Sequence, residues 1–231
     1  MTRKFFITAT DTGAGKTFIA ARLVKILLDR GVNALAVKPV ACGTGKDGIN
    51  EDVAILMQAQ GISDPQQINL YSFAMPSAPS IAASAEGRKI DPERLGAWCE
   101  QQIRDVDICL IEGVGGLMVP LTEKFLVSDW LAGLPDAKTL LVAQARLGAI
   151  NHTLLTLKQL QHIRHAPRWL AINCTENSTN SLASLHLAEA LRTHLATSCE
   201  VVTISCVEKQ GQDMANSLAY LADRMTAQTG E

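Results

Sequence analysis

Short apolar runs alternate along the chain with longer stretches in which apolar residues recur every three or four positions. The run Lys4-Phe5-Phe6-Ile7-Thr8 predicts a strand, and Ala9 to Gly15 a loop of small residues. From Lys16 to Arg30 the apolar residues Ile19, Leu23, Ile26 and Leu27 stand at helical spacing, and Gly31 ends the helix. Ala34-Leu35-Ala36-Val37 is a second short strand, closed by Lys38-Pro39. Strand, tight loop, helix, strand is a βαβ unit, which implies a parallel sheet with a right-handed crossover.

The alternation continues. Helices are predicted over Glu51–Gln60, Asp91–Arg104, Asn151–Gln161, Leu182–His194 and Met214–Met225, with strands over Asp107–Ile111, Thr139–Ala143, Trp169–Ile172 and Glu200–Ile204. Asp107-Ile108-Cys109-Leu110-Ile111 lacks polar alternation, as a central strand covered on both faces should. The expected class is α/β: a doubly wound, mostly parallel sheet with helices on both faces. Ile62 to Ile90 reads as the one long irregular stretch, of the kind that is more often a functional loop than a linker. No Pro/Gly/Ser-rich linker or charge run divides the 231 residues, so a single domain over 1–231 is expected.

Composition matters here for what it excludes. Hydrophobic residues at 47% and charged residues at 19% are ample for a core and argue against disorder. A net charge of −2 without a basic block argues against nucleic acid or an anionic membrane as partner. The apolar run after Met1-Thr2-Arg3-Lys4 stops at Thr8, too short for a signal peptide, and no stretch reaches the roughly 18 apolar residues of a membrane span. The six cysteines form no CxxC pair and no metal-finger spacing, and scattered free thiols suggest a reducing cytoplasm.

The candidate chemistry begins at the first strand-loop-helix junction, Thr10-Asp11-Thr12-Gly13-Ala14-Gly15-Lys16-Thr17. A phosphate-binding P-loop needs small residues there so that backbone N–H groups converge at a helix N-terminus. Lys16 would reach the β- and γ-phosphates and the Thr17 hydroxyl would ligate magnesium. Thr10 replaces the consensus first glycine. Glu112 ends an apolar strand against Gly113-Val114-Gly115-Gly116, a Walker B-like placement with glutamate for the usual aspartate; the alternative is an ordinary strand-end carboxylate. Lys38 ends another strand before the Gly-rich Cys42-Gly43-Thr44-Gly45, which suggests a second phosphate contact. Asp52 stands in a first helical turn, where metal binding and a favourable helix-dipole position are both open readings. His162 and His165 read as solvated, and Trp98, Trp130 and Trp169 as core or interface residues.

In order, these blocks resemble the dethiobiotin synthetase family. The resemblance rests on Thr10-Asp11-Thr12 before Gly15-Lys16-Thr17, Lys38-Pro39-Val40, Glu51-Asp52, Tyr71-Ser72-Phe73 with Pro76, Ser77 and Pro79, and Glu86-Gly87. It continues through Glu112-Gly113 with Gly115-Gly116, Asp129-Trp130 and Leu147-Gly148-Ala149-Ile150-Asn151-His152, and thins after residue 152. It implies ATP-dependent ring closure on 7,8-diaminopelargonate with CO2, through a carbamate and a mixed carbamic-phosphoric anhydride. It also implies a catalytic role for Lys16, Lys38 and Thr12, and a nucleotide held by Gly13, Ala14, Gly15, Lys16, Thr17, Phe18 and Asn173. Magnesium would be bound by Thr17, Asp52 and Glu112, and ATP would be the co-substrate. Thr12, Lys38 and Cys42 would meet the substrate, with Gly148, Ala149 and Asn151 reaching it across a homodimer interface.

Four positions depart from the family pattern. Gly13 stands where glutamate is frequent, Cys42 where a serine hydroxyl commonly meets substrate, and Cys174 follows Asn173 where aspartate is usual. No Pro-rich loop matches around Ser205-Cys206-Val207-Glu208. Three rival readings are a cobyrinate-type synthetase, a ParA- or MinD-like switch ATPase, and a degenerate nucleotide-binding paralogue. The first needs room for a glutaminase domain; the second usually has an early P-loop lysine where Asp11 and Thr12 stand here.

Overall fold

A computed structural model describes residues 2–45, 47–174, 181–205 and 211–227. The chain opens with β1 (Arg3–Ala9), in which every side chain from Phe5 to Ala9 is buried, an apolar run interrupted only by Thr8. α1 (Lys16–Asp29) buries Ile19, Leu23 and Leu27 along one stripe and leads to β2 (Ala34–Val37). Then come β3 (Val40–Cys42), α2 (Glu51–Gln60), a 3-10 turn at Pro65–Gln67, β4 (Tyr71–Phe73), α3 (Pro79–Ala85) and α4 (Pro92–Ile103). The remainder is β5 (Ile108–Glu112), α5 (Val127–Ala132), β6 (Lys138–Gln144), α6 (Ala149–His162), β7 (Trp169–Cys174), α7 (Ser181–Arg192), β8 (Glu200–Ser205) and α8 (Gly211–Thr226).

Among the described residues, six strands form one parallel sheet in the order β2-β5-β1-β6-β7-β8. The connection after β1 runs to one side and the connection after β6 to the other, so the helices fall into two groups. α1 packs against α2 and α8, and α6 against α7. Phe5 on β1 meets Trp169 on β7 at 5.7 Å between ring centroids, across the intervening β6, and Phe6 meets Trp130 of α5 edge-on at 5.0 Å, which ties β1 to its cover. Trp130 and Trp169 are thus core residues. Among the described residues, no helix is long and apolar enough to cross a membrane.

The expected regular elements form, with ends displaced by up to three residues, the largest shift being the start of α8 at Gly211. Two expectations need correction. Ile62 to Ile90 is not irregular: it holds β4 and α3, and β4 pairs in parallel with β3, Cys42 opposite Phe73. Three-residue strands are too short for periodicity to reveal. His165 is buried rather than solvated, because the turn after α6, closed by its N–H on the Leu160 carbonyl, brings the imidazole to the Ala137 backbone just before β6. The unmatched segment around Cys206 lies outside the described residues.

Candidate active site

The chain reverses direction across the sheet at β1, flanked by β5 and β6, and the crevice above such a point is where open parallel sheets bind ligands. Three carboxyl ends meet there: the loop after β1, Glu112 closing β5, and Lys38 one residue beyond β2. They line a cavity of about 700 Å3, whose walls include Thr12, Gly13, Phe18, Cys42 and the Pro76–Pro79 segment.

Gly15 is the N-cap of α1 at φ 100°, a left-handed conformation that an L side chain rarely adopts. A Cβ there would also collide with the Asn173 amide, which occupies the space beside it. The Asn173 Nδ2 donates to the Ala14 carbonyl at 2.9 Å, so the end of β7 braces the loop from beneath. Asp11 accepts from Arg146 at 2.6 Å, tying the loop to the turn before α6.

Burial drives the electrostatics. Lys16 and Lys38 are 6% and 4% exposed, and Glu112 is 1% exposed. Lys38 Nζ lies 2.6 Å from both Glu112 Oε1 and Asp52 Oδ2, and the Thr17 hydroxyl donates to Glu112 Oε1 at 2.7 Å. Burial lowers the Lys16 pKa to about 8, with Lys38 adding to that and Glu112, Asp52 and Asp11 opposing it. Burial acts on Lys38 in the same sense, but the Glu112 and Asp52 carboxylates outweigh it and hold that ammonium above its ordinary value. For Asp52, burial would raise the carboxyl; Lys38, assisted by the Thr17 hydroxyl and Lys16, brings it below the usual range. Burial pushes the Cys42 thiol up to about 11 against the pull of Lys38, so it stands in the cavity as a neutral thiol rather than a thiolate.

Asp52 is not the cap of α2, since the Asn50 side chain accepts the Asp52 N–H at 3.0 Å while the Asp52 carboxylate turns to Lys38. Thr17, Asp52 and Glu112 present only oxygen, and Glu112 Oε2 is buried without a hydrogen-bond partner. Two carboxylates and a hydroxyl suit a hard divalent cation that takes its remaining ligands from phosphate oxygens and water. Among the described residues no cluster of three or more acidic, histidine or cysteine side chains forms a self-sufficient metal cage.

The cavity brings together Thr12, Gly13, Gly15, Lys16, Thr17, Phe18, Lys38, Cys42, Asp52 and Glu112. It does not include Gly148, Ala149 or Asn151, which lie at the N-terminus of α6, with Gly148 as N-cap. Sequence reasoning read the stretch that holds Pro76–Pro79 as a functional loop but assigned those residues no ligand, and it missed the Arg146–Asp11 link, which no local pattern encodes.

A parallel sheet with a P-loop at its topological switch point, a strand-end carboxylate and buried lysines defines a P-loop nucleotide-binding protein. The model of the AAA domain family matches residues 3–210. The ATP-dependent dethiobiotin synthetase BioD of Cellvibrio japonicus (strain Ueda107) is 38% identical over 164 residues, covering 69% of this chain and 72% of that protein. The enzyme of the same name from Anaeromyxobacter dehalogenans (strain 2CP-C) is 37% identical over 193 residues, covering 82% and 85%. The chain belongs to the dethiobiotin synthetase family. Among solved structures, the septum site-determining protein MinD complexed with Mg-ADP from Pyrococcus horikoshii OT3 covers 100% of this chain and 98% of its own, with TM-score 0.58 and 17% identity. Hydrogenase maturation factor HypB from Archaeoglobus fulgidus has TM-score 0.56 and 14% identity, covering 97% and 90%. At such identities the likeness concerns the fold alone.

Proposed function

We propose that this chain is an ATP-dependent dethiobiotin synthetase, closing the ureido ring of dethiobiotin on 7,8-diaminopelargonate with CO2 and releasing ADP and phosphate. The observation that carries this is the second buried ammonium. Lys38 lines the same cavity as the P-loop lysine but comes from the end of β2, where a ligand other than the nucleotide can share it.

One amine of the diamine takes up CO2 as a carbamate, whose oxygen attacks the γ-phosphorus and displaces ADP. The second amine then attacks the carbamate carbon and expels phosphate, closing the ring. No covalent enzyme intermediate is needed, so the protein's work is alignment and charge stabilisation. Lys16 faces the β- and γ-phosphates, and bound phosphate favours its ammonium form despite the burial that lowers its pKa to about 8. Lys38, held charged by Glu112 and Asp52, stabilises negative charge on the carbamate and the transferring phosphoryl group. Thr12 and Cys42 line the part of the cavity assigned to the diamine, where a thiol offers a weaker hydrogen bond than a hydroxyl. Gly13, Ala14, Gly15 and Phe18 belong to the nucleotide side, with Asn173 bracing the loop beneath them. Thr17, Asp52 and Glu112 would hold magnesium, which when bound neutralises the β- and γ-oxygens.

The assignment of Gly148, Ala149 and Asn151 to a partner's site rests on the surface of α6. Leu147 is 99% exposed, Ile150 45% and Leu155 64%, apolar area of the kind that a second copy covers. The first turn of α6 carries no acidic residue, so its N-terminus suits a carboxylate, such as the distant one of the substrate. On this reading the enzyme is a homodimer.

The test mixes purified protein with magnesium, bicarbonate, ATP and 7,8-diaminopelargonate, following phosphate release and product mass. Diamine-dependent phosphate with a dethiobiotin mass, both lost in Lys16→Ala, is the expected result. Phosphate release indifferent to the diamine would indicate a switch ATPase, and no turnover with any nucleotide a degenerate paralogue.

A further inference from the structure

Tyr71-Ser72-Phe73 and Glu86-Gly87 belong to the family's sequence blocks, yet none of these residues lines the cavity. Their contacts explain what they do. At the end of α3, Gly87 takes φ +63° and turns the chain back, so that the Arg88 N–H donates to the Ala83 carbonyl at 2.8 Å. Arg88 then lies beside Glu86, with Nη1 to Oε2 at 2.9 Å. Both side chains reach the outer side of β4. Glu86 Oε1 accepts the Ala74 N–H at 2.7 Å, and Arg88 Nη1 donates to the Ser72 carbonyl at 2.8 Å. The guanidinium carbon also sits 4.7 Å from the centre of the Phe73 ring.

The inner side of the same strand backs the cavity wall, which Cys42 and the Pro76–Pro79 segment form. Phe73 pairs with Cys42, and its carbonyl accepts the Gly43 N–H at 2.9 Å. A Cβ on Gly43 would come within 3.1 Å of Pro76, so the end of β3 and the start of the Pro76–Pro79 wall are in close register. β4 is only three residues long, too short to hold its own position through the ladder. Whatever fixes β4 therefore fixes Cys42 and the Pro76–Pro79 segment together.

We propose that Glu86 and Arg88 are positioning residues for the substrate other than the nucleotide, clamping β4 so that Cys42 and the Pro76–Pro79 wall meet the diamine. This rests on the dethiobiotin synthetase reading above. The ion pair between them is partly solvated and contributes little by itself. Orientation comes from the bond to the Ser72 carbonyl within β4, the bond to the Ala74 N–H just past its end, and the contact on Phe73. The P-loop hangs from β1 and β7, so its geometry is independent of the clamp.

The test is steady-state kinetics on the full chain, varying the diamine at saturating ATP and bicarbonate, then ATP at saturating diamine. Glu86→Ala is expected to raise KM for the diamine ~10-fold, with kcat and the KM for ATP within about twofold. Glu86→Gln keeps an acceptor for the Ala74 N–H and is expected to raise the same KM only ~3-fold. Arg88→Lys loses the planar contact on Phe73 and should resemble Glu86→Gln. The clamp is overturned when both Michaelis constants rise together, when neither moves, or when Glu86→Gln is as severe as Glu86→Ala. Should Glu86→Ala not fold, Glu86→Gln and Arg88→Lys decide alone, and an unshifted diamine KM in both rejects the inference. A wild type without diamine-dependent turnover removes the proposed function and this inference with it, whereas normal wild-type turnover with unshifted variants rejects the clamp alone.

Discussion

The two edges of the central sheet treat polar groups in opposite ways. At the carboxyl edge, Lys16, Lys38 and Glu112 are buried, and Asp52 leans in to pair with Lys38. At the amino edge the neutral side chains bond to backbone: Thr2 bridges the Ile103 and Val106 carbonyls at 2.9 and 2.7 Å, and Asn33 Nδ2 donates to the Asp105 carbonyl at 2.6 Å. Charged groups there remain partly solvated, as in Lys4–Glu100 at 3.0 Å and the Glu200 pairs with Arg168 and Arg224 at 2.8 Å. Solvated pairs contribute about 0–1 kcal/mol each, whereas burying charge costs several unless it is matched. Only an edge that handles charged ligands gains from the second arrangement. Carboxyl-edge variants should therefore lose activity far more than their effect on folding suggests, and amino-edge variants the reverse.

Lys16→Ala gives the largest effect. Phosphate release should fall about 10³-fold, the scale of losing a positioned cation at the transferring phosphoryl group. Its denaturation midpoint should hold or rise, because the substitution removes an ammonium that burial disfavours. Activity within about tenfold of wild type, or a clear drop in midpoint, breaks the contrast.

Lys38→Met sharpens it, since this lysine serves both folding and chemistry. Its removal leaves the Glu112 carboxylate buried without its ion-pair partner, so urea unfolding should show a loss of about 3 kcal/mol together with lost turnover. Adding Glu112→Gln should recover most of the stability and none of the activity. A single variant as stable as wild type would mean that the buried pair is not the cost it is taken to be.

These residues were also the most legible in the sequence, and for a physical reason. A phosphate loop, a strand-end lysine and a strand-end glutamate each sit at the boundary of an element that hydrophobic spacing reveals, and parallel topology then brings the boundaries together. Asp52 was ambiguous because a first-turn carboxylate has the same local signature whether it serves the helix dipole or turns to Lys38. β3 and β4 escaped because three residues carry no period, and β4 is also bonded by Glu86 and Arg88, more than ten residues further along the chain. The Asn173 brace on Ala14 joins positions 159 apart, a relation that no local pattern encodes. His165 was misread for a similar cause, since its burial depends on how the turn after α6 meets the sheet.

At the amino edge, Thr2→Val removes a hydroxyl bonded to backbone carbonyls and should cost about 1 kcal/mol in urea unfolding. Turnover per folded molecule should match wild type. A fall in turnover with unchanged stability would dissolve the division between the edges.

The smallest effect is a dependence on pH confined to the amino edge. Burial holds the His165 imidazole below its ordinary value of 6.5, against a hydrogen bond to the Ala137 backbone that acts in the opposite sense. Between the folded and unfolded pKa values the unfolded chain binds more protons, so stability rises with pH across that window and falls as pH drops below 6.5. Asp52, held low mainly by Lys38, keeps its charge through the same range. Acidification from about pH 7 to about pH 5.5 should therefore lower the unfolding midpoint of the wild type more than that of His165→Gln, without altering the carboxyl-edge ion pairs. Parallel midpoint curves for the two proteins would show that His165 takes up its proton as easily folded as unfolded, and that its burial beside Ala137 has no energetic consequence.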